Sequence, residues 1–353
     1  MRQRSINVAI VGCGSIANSH VEAWRNVGAK IVAVCDINAS IAKSKAKKWG
    51  VSHHYEDLRE MIQKERLDVA SICTPPIARL SIVEPLIKNG VHVVIEKPFA
   101  MSINEAEKMV KLKDEYGVKL TVVHNWLFSH IMKRVLQSLR RGEIGDLLGL
   151  QIIMLHTKDD PMASDSQHWC HSLKAGRFGE NLPHPVYITR AILGKVKVRH
   201  ISGSKLGSYP WMPIDELHVL LEDDIGRIAL IYISFNSIRP ETSLKIFGSR
   251  GVLEANLSNN ILVKKSYREI SNVGVFMDNL RFIKDTIVSS FSIGRALITK
   301  QYQGTHTEFI KDFVNSLENN IEPPVTAEEA LEVLKLHMDL SSIIHKRYYI
   351  KHT

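Results

Sequence analysis

A chain of 353 residues is about twice what one hydrophobic core usually organises, so two domains are expected and a single small module is excluded. With 44% hydrophobic and 24% charged residues, and 20 Gly and 12 Pro dispersed along its length, the composition is globular, which rules out disordered, collagenous and coiled-coil classes. Lys and Arg outnumber Asp and Glu by 46 to 37, but the +9 excess is diffuse; its densest stretch, Lys43, Lys45, Lys47 and Lys48, reads as the solvated face of a helix, and no nucleic-acid partner is expected.

The N-terminus leads into a short apolar stretch, Val8 to Val11, that stops at Gly12, far short of a signal segment or a membrane span of about 20 residues. Cys13, Cys35, Cys73 and Cys170 form neither a Cys-x-x-Cys pair nor a His/Cys ligand pattern, so no structural zinc and no disulfide framework is expected. These features predict a cytoplasmic protein with no membrane partner and no metal. In the first third, β-branched runs at 6–11, 30–35, 68–73, 91–95 and 119–123 are separated by stretches long enough for helices, the first at 16–27. Near-continuous apolar strands between helices predict a doubly wound parallel sheet ending near His124.

The pattern then changes. A helix at 129–141 precedes a long apolar strand at 147–155, an irregular polar stretch at 156–177 and a helix at 184–193. Strands at 197–202, 217–221, 227–235, 242–247, 252–256 and 260–264 follow without intervening helices, which predicts a large, mostly antiparallel, meandering sheet with one face on helices and the other open to a partner. Two helices close the chain, at 303–319 and 327–346, with Thr326 and Glu329 spaced as a capping box. The expected organisation is α/β: a Rossmann-type dinucleotide domain at 1–124 and an α+β substrate and oligomerisation domain at 125–353.

The first strand runs into Gly12-Cys13-Gly14-Ser15-Ile16-Ala17, a Gly-x-Gly-x-x-Ala turn in strand, turn, helix context. Gly12 permits the tight turn, Gly14 leaves room for a pyrophosphate against the backbone, and Ala17 lets the helix pack closely with its N-terminus toward the anion. Asp36 ends the second strand 24 residues after Gly12, where an acid hydrogen-bonds an adenosine ribose and repels a 2′-phosphate, so NAD is expected over NADP. Thr74-Pro75-Pro76 and Glu96-Lys97-Pro98 follow two further strands at the carboxyl edge, where such sheets bind ligands. Alcohol oxidation by hydride transfer needs a group to take the hydroxyl proton, and a lysine partly desolvated in a cleft can do so. The residues alone leave open whether Lys97 fills that role or forms a solvated pair with Glu96 before a turn-forming proline. The bond before Pro98 is expected to be cis.

These motifs, with His20, Cys35-Asp36, Val123-His124-Asn125, Gly142-Glu143-Ile144-Gly145, Phe247 to Gly251 and Pro324 to Ala330, resemble the glucose-fructose oxidoreductase / inositol dehydrogenase / MocA (Gfo/Idh/MocA) family over essentially the whole chain. The resemblance implies an NAD(P)-dependent oxidoreductase with Gly12, Gly14, Ser15, Ile16, Asp36, Thr74, Pro75, Glu96, Lys97 and Asn125 at the cofactor, and with Lys97 beside the nicotinamide and the reacting hydroxyl. The family's second signature, Asp-x-Gly-x-His-x-x-Asp, is matched in part by Glu180 to Tyr187, its register fixed by Gly194. His184 falls on the catalytic histidine, Glu180 on the first acid, and Tyr187 on the second. A phenol donates a hydrogen bond to a sugar hydroxyl but is not an anion at neutral pH, so Tyr187 leaves a substrate contact open and argues against strong activation of the histidine.

Trp169 is a candidate platform for a sugar ring or the nicotinamide, with burial in core or loop as the alternative. His156, His168 and His171 lack a carboxylate at helical spacing and are not read as a metal site. The implied reaction is hydride transfer between nicotinamide and a secondary alcohol or ketone of a sugar, sugar derivative or cyclic polyol, in a homodimer or homotetramer built through the C-terminal sheet. The alternatives are a dinucleotide-binding sensor or regulatory protein that has lost turnover, and a reductase of a non-sugar carbonyl or imine.

Overall fold

The computed structural model describes residues 5–207, 209–266, 272–298 and 304–350. From the N-terminus the elements are β1 (Asn7–Val11), α1 (Ala17–Asn26), β2 (Lys30–Cys35), α2 (Ala39–Trp49), β3 (His53–Tyr55), α3 (Leu58–Lys64), β4 (Val69–Ile72), α4 (Arg79–Lys88), β5 (His92–Glu96), α5 (Ile103–Tyr116) and β6 (Leu120–Val123). There follow α6 (His130–Arg140), β7 (Leu147–Thr157), α7 (Pro161–Ser164), α8 (Gly176–Asn181), α9 (Pro183–Leu193), β8 (Val196–Ser204), β9 (Glu216–Asp223), β10 (Ile228–Ser237), β11 (Glu241–Gly248), β12 (Gly251–Asn256), β13 (Ile261–Ser266), α10 (Asn272–Ile298), α11 (Thr305–Glu318) and α12 (Ala327–Ile344). Backbone contacts group them into two units, Met1–Phe128 with Gln303–Lys335, and Ser129–Tyr302 with Leu336–Thr353.

In the first unit all strand pairs are parallel, in the order β3-β2-β1-β4-β5-β6. The chain winds outward from β1 to β3, then crosses back to place β4 on β1's other side. The β1/β4 junction is therefore the switch point, with a crevice at its carboxyl edge. Helices cover both faces, which is why β4 and β6 are buried at every position. The three-residue β3 was not expected from sequence; His-His-Tyr lacks the apolar run by which the other strands announce themselves. α11 returns to this unit, placing Phe313 edge-on to Trp24 of α1 at 6.2 Å and Phe309 edge-on to Phe128 at 5.0 Å, so the apolar stripe of α11 closes the core over α1. A division at residue 124 does not capture that return, because sequence spacing carries no trace of where a distant helix packs. The Thr326 capping box forms, the Thr326 hydroxyl accepting from the Glu329 N–H and the Glu329 carboxylate from the Thr326 N–H.

The second unit carries a seven-stranded sheet in the order β13-β12-β11-β7-β10-β9-β8. It is mostly antiparallel, but the meander is broken: β7 lies between β10 and β11 and pairs parallel with β10. The eleven-residue β7 can satisfy a ladder on each side, which a strand at the edge would leave half unpaired. α10, 27 residues long, falls in a stretch to which the sequence reading assigned no element. Gln303, where the penultimate helix was expected to begin, lies outside the described residues. Among the described residues no helix is long and apolar enough to cross a membrane.

Three histidines are built into the first unit in neutral form. Burial lowers the pKa of His20 and of His92, and pushes His124 down to about 3, against the opposing pull of Glu96. His92 also uses Nδ1 to accept the Lys119 N–H at 2.9 Å, which requires that nitrogen to be unprotonated. Above the ordinary pKa of 6.5 these groups are uncharged in both folded and unfolded chains; as pH falls below it, the unfolded chain takes up protons that the folded one refuses, so stability is lost toward acid. Each such group steepens the loss by up to about 1.4 kcal/mol per pH unit. His124→Gln is expected to give urea midpoints that fall less between pH 7 and pH 4 than those of the wild type; an unchanged slope counts against this account.

Candidate functional site

The coenzyme half of the site is built where β1 turns into α1. Gly12 has φ +88°, and a Cβ there would sit 2.8 Å from the Thr74 backbone nitrogen, so only glycine fits against the end of β4. At Gly14 a Cβ would meet nothing within 4 Å; the protein itself places no demand for glycine there, and the space stands open beside the turn. The N-terminus of α1, approached through exposed Ser15 and half-buried Ile16, has no side-chain cap and no acid in its first turn, which suits it to an anion. Thr74 Oγ1 is a buried hydroxyl oxygen with no hydrogen-bond partner. Open space at Gly14, uncapped N–H groups and an orphaned hydroxyl are what a dinucleotide phosphate would complete, so the residues present fit the group.

Asp36 stands at the end of β2 with both carboxylate oxygens held: Oδ2 accepts the Cys13 N–H at 2.8 Å and Oδ1 the Asn38 N–H at 2.9 Å. This fixes a negative charge at the mouth of the glycine turn. Asn125, just past β6, donates through Nδ2 to Thr305 Oγ1 at 3.0 Å. Pro75 is exposed between Thr74 and buried Pro76.

Lys97 is half-buried at the carboxyl end of β5, and the Lys97–Pro98 bond is cis as expected. One of the two readings left open for its neighbour falls away. Glu96 belongs to no solvated pair; it is 6% exposed, and its Oε1 accepts from His20 Nε2 and from His306 Nε2, each at 2.9 Å. Burial alone would raise the Glu96 pKa, but the hydrogen bonds from the two imidazoles hold it well below the ordinary carboxylate range. Its Oε2 accepts the main-chain N–H of Lys97 at 3.2 Å. The Lys97 carbonyl in turn accepts from Arg79 Nη2 at 3.3 Å, and the same nitrogen reaches the Thr74 carbonyl at 3.1 Å. Arg79 is fully buried, and burial lowers its pKa to about 10.

In the second unit, α8 and α9 carry a further group of the residues singled out from sequence. α9 is buried around most of its circumference, so His184 and Tyr187, three residues apart, share one face inside the unit. His184 Nδ1 lies 2.7 Å from the Tyr187 hydroxyl, and Tyr187 is 1% exposed. The phenol thus takes the histidine as partner, a contact the sequence reading did not foresee; the side chain opposite a ring nitrogen is decided by packing. Glu180 pairs with Arg177, which also holds Asp160 through Nε and Nη2, each at 3.2 Å. Burial works against the Asp160 charge, but His156 and Arg177 keep its pKa well below the ordinary value.

His156, His168 and His171 do not converge: His156 faces Asp160 and Asn181, His168 accepts the Cys170 N–H, and His171 reaches the Met162 carbonyl. Trp169 lies half-exposed in a short turn with its ring 5.5 Å from that of His168. The residues missed from sequence are Arg79 and His306. The first looks like any helix-start arginine, and the second is 210 residues from its partner.

Comparison with known proteins gives the family. A family model described as an oxidoreductase family with an NAD-binding Rossmann fold matches residues 6–124, and the GFO/IDH/MocA C-terminal domain matches residues 132–254. The myo-inositol 2-dehydrogenase of Thermotoga maritima is 21% identical over 98% of both chains. The D-apiose dehydrogenase of Paraburkholderia graminis is 34% identical, over 39% of this chain and 37% of that protein. Among solved structures, the WlbA dehydrogenase from Bordetella pertussis in complex with NADH and UDP-GlcNAcA superposes with a TM-score of 0.77 at 20% identity, covering 98% and 97% of the two chains. The chain belongs to the GFO/IDH/MocA family of NAD(P)-dependent oxidoreductases.

The two glycines separate folding from binding. Gly14→Ala is expected to leave the thermal midpoint within about 2 °C and to weaken NADH binding, read by nucleotide fluorescence, at least tenfold. Gly12→Ala, forced against backbone at a left-handed φ, is expected to cost about 2 kcal/mol or more of stability. Equal effects of the two changes on stability would refute this assignment.

Proposed function

We propose that this member of the family oxidises or reduces a secondary alcohol or ketone of a sugar, sugar derivative or cyclic polyol, with NAD(H) preferred over NADP(H). The observation that carries the reading is Lys97: a half-buried lysine at the carboxyl edge of the parallel sheet, its main-chain N–H and C=O both held by buried charged side chains. NAD(P), when bound, supplies the position that accepts or gives the hydride. Lys97 takes the hydroxyl proton during oxidation and returns it during reduction. His184 orients the same hydroxyl, its ring set by the bond to Tyr187. Because a phenol brings no anion to stabilise an imidazolium, the proton itself falls to Lys97. The pairing of Tyr187 with His184 supports a working histidine over a sensor that has lost turnover.

The NAD preference rests on Asp36, whose pinned carboxylate would oppose a ribose 2′-phosphate. The substrate class is supported by the enzymes that the chain is similar to, named for myo-inositol and D-apiose. The reading includes a homodimer or homotetramer through the second unit. Phe276, Phe282 and Phe291 of α10 are each half or more exposed, which supports a partner for this unit.

Thermal shift with NAD(H) and NADP(H), followed by a sugar and polyol panel read at the reduced-nicotinamide absorbance, tests the activity. Lys97→Ala is expected to keep NADH affinity within twofold and to lower kcat about 10²–10⁴-fold; near-intact turnover would sink the role given to the lysine. Sedimentation velocity at micromolar concentration is expected to return a dimer or tetramer, and a monomer would remove the oligomer from the proposal.

A further inference from the structure

We propose that His306, together with His20, is a positioning residue for Lys97, acting through the buried carboxylate of Glu96. The inference rests on the catalytic role proposed for Lys97. His306 lies outside both stretches matched by the family models, and it reaches the site from α11, the helix that returns to the first unit.

The argument follows the hydrogen bonds outward from the interior. Trp24 Nε1 donates to Ser71 Oγ at 3.1 Å, and Ser71 Oγ lies 2.7 Å from His20 Nδ1. His20 is fully buried, and burial lowers its pKa, so the imidazole is neutral and carries one proton. With Ser71 already accepting from Trp24, its own hydroxyl proton goes to His20 Nδ1, which leaves the His20 proton on Nε2 for Glu96 Oε1. One neutral imidazole gives a buried anion a single donor. A second donor is needed to hold a carboxylate in so dry a place, and His306 Nε2 supplies it to the same oxygen. The other oxygen is then left to the Lys97 N–H. Arg79 holds the Lys97 carbonyl from the opposite side.

The lysine backbone is thereby clamped at both polar groups, and one arm of the clamp is oriented by two histidines from two different helices. Loss of the His306 bond frees the Glu96 carboxylate to rotate or to take up a proton, and either change releases the Lys97 N–H. His20 Nε2, Glu96 Oε1 and His306 Nε2 also converge within 4.8 Å, as ligands of a metal would. The two 2.9 Å contacts to a single oxygen are hydrogen-bond distances, and the proposal is a hydrogen-bonded clamp.

The test uses His306→Leu, which removes the donor, and His306→Gln, whose Nε2 can replace it. His306→Leu is expected to lower kcat 10- to 100-fold with KM and NADH affinity within about threefold, while His306→Gln restores kcat to within about fivefold of wild type. In a Lys97→Ala background, His306→Leu is expected to cause less than a twofold further loss. Independently of turnover, amide exchange at Lys97 is expected to accelerate at least tenfold in His306→Leu and to recover in His306→Gln.

Additive losses in the two backgrounds, failure of the glutamine to rescue in a protein of normal thermal midpoint, or unchanged exchange at Lys97 would each overturn the clamp. So would stoichiometric zinc in the purified wild type, measured by mass spectrometry and lost in His306→Leu. Intact activity in Lys97→Ala alone would instead refute the role of the lysine, and the exchange measurement would still decide on His306.

Discussion

A carboxylate withdrawn from water must be matched by donors or give up its charge. Glu96 is that group in this protein, and much of the coenzyme half of the site is arranged around it. Its partners come from α1, from α11 and from the residue that follows it, so the helix behind the glycine turn, the helix that returns near the C-terminus and the strand end bearing Lys97 meet at one charge. The turn that would cradle a pyrophosphate and the lysine proposed to handle the proton are therefore held in one frame. In the proposed clamp, small movements of α1 or α11 would be felt at Lys97, because the connection runs through hydrogen bonds with definite lengths and directions.

The buried polar groups of α8 and α9 in the second unit follow a milder version of the same rule. His184 has a phenol as partner in place of the family's carboxylate, and the nearby negative charges, Glu180 and Asp160, are both taken up by Arg177. The two carboxylates share one guanidinium, and Asp160 also faces His156. The division proposed above, a histidine that orients and a lysine that exchanges the proton, would give the departure at Tyr187 a chemical meaning.

The sequence carried the parallel sheet, because β-branched runs at helical separations admit few other arrangements. It carried Gly12, Asp36 and the Lys97–Pro98 turn, because each is a local signal: a left-handed φ, an acid at a strand end, a proline after a lysine. The Thr326 capping box belongs to the same class, two residues three apart that satisfy each other.

What tertiary structure alone decided are the partnerships between elements. The bond from His306 to Glu96 spans 210 residues, α11 belongs with the first unit, and β7 slips between β10 and β11. None of these leaves a periodicity or a spacing in the chain, since they arise when separate surfaces bury one another. Residue order showed where most strands and helices would form, though not β3 or α10, and which side chains would stand at the sheet's carboxyl edge. Packing decided that Glu96 would face inward with two imidazoles and that Tyr187 would turn to His184, because a buried polar group takes whichever partner the folded chain brings within reach.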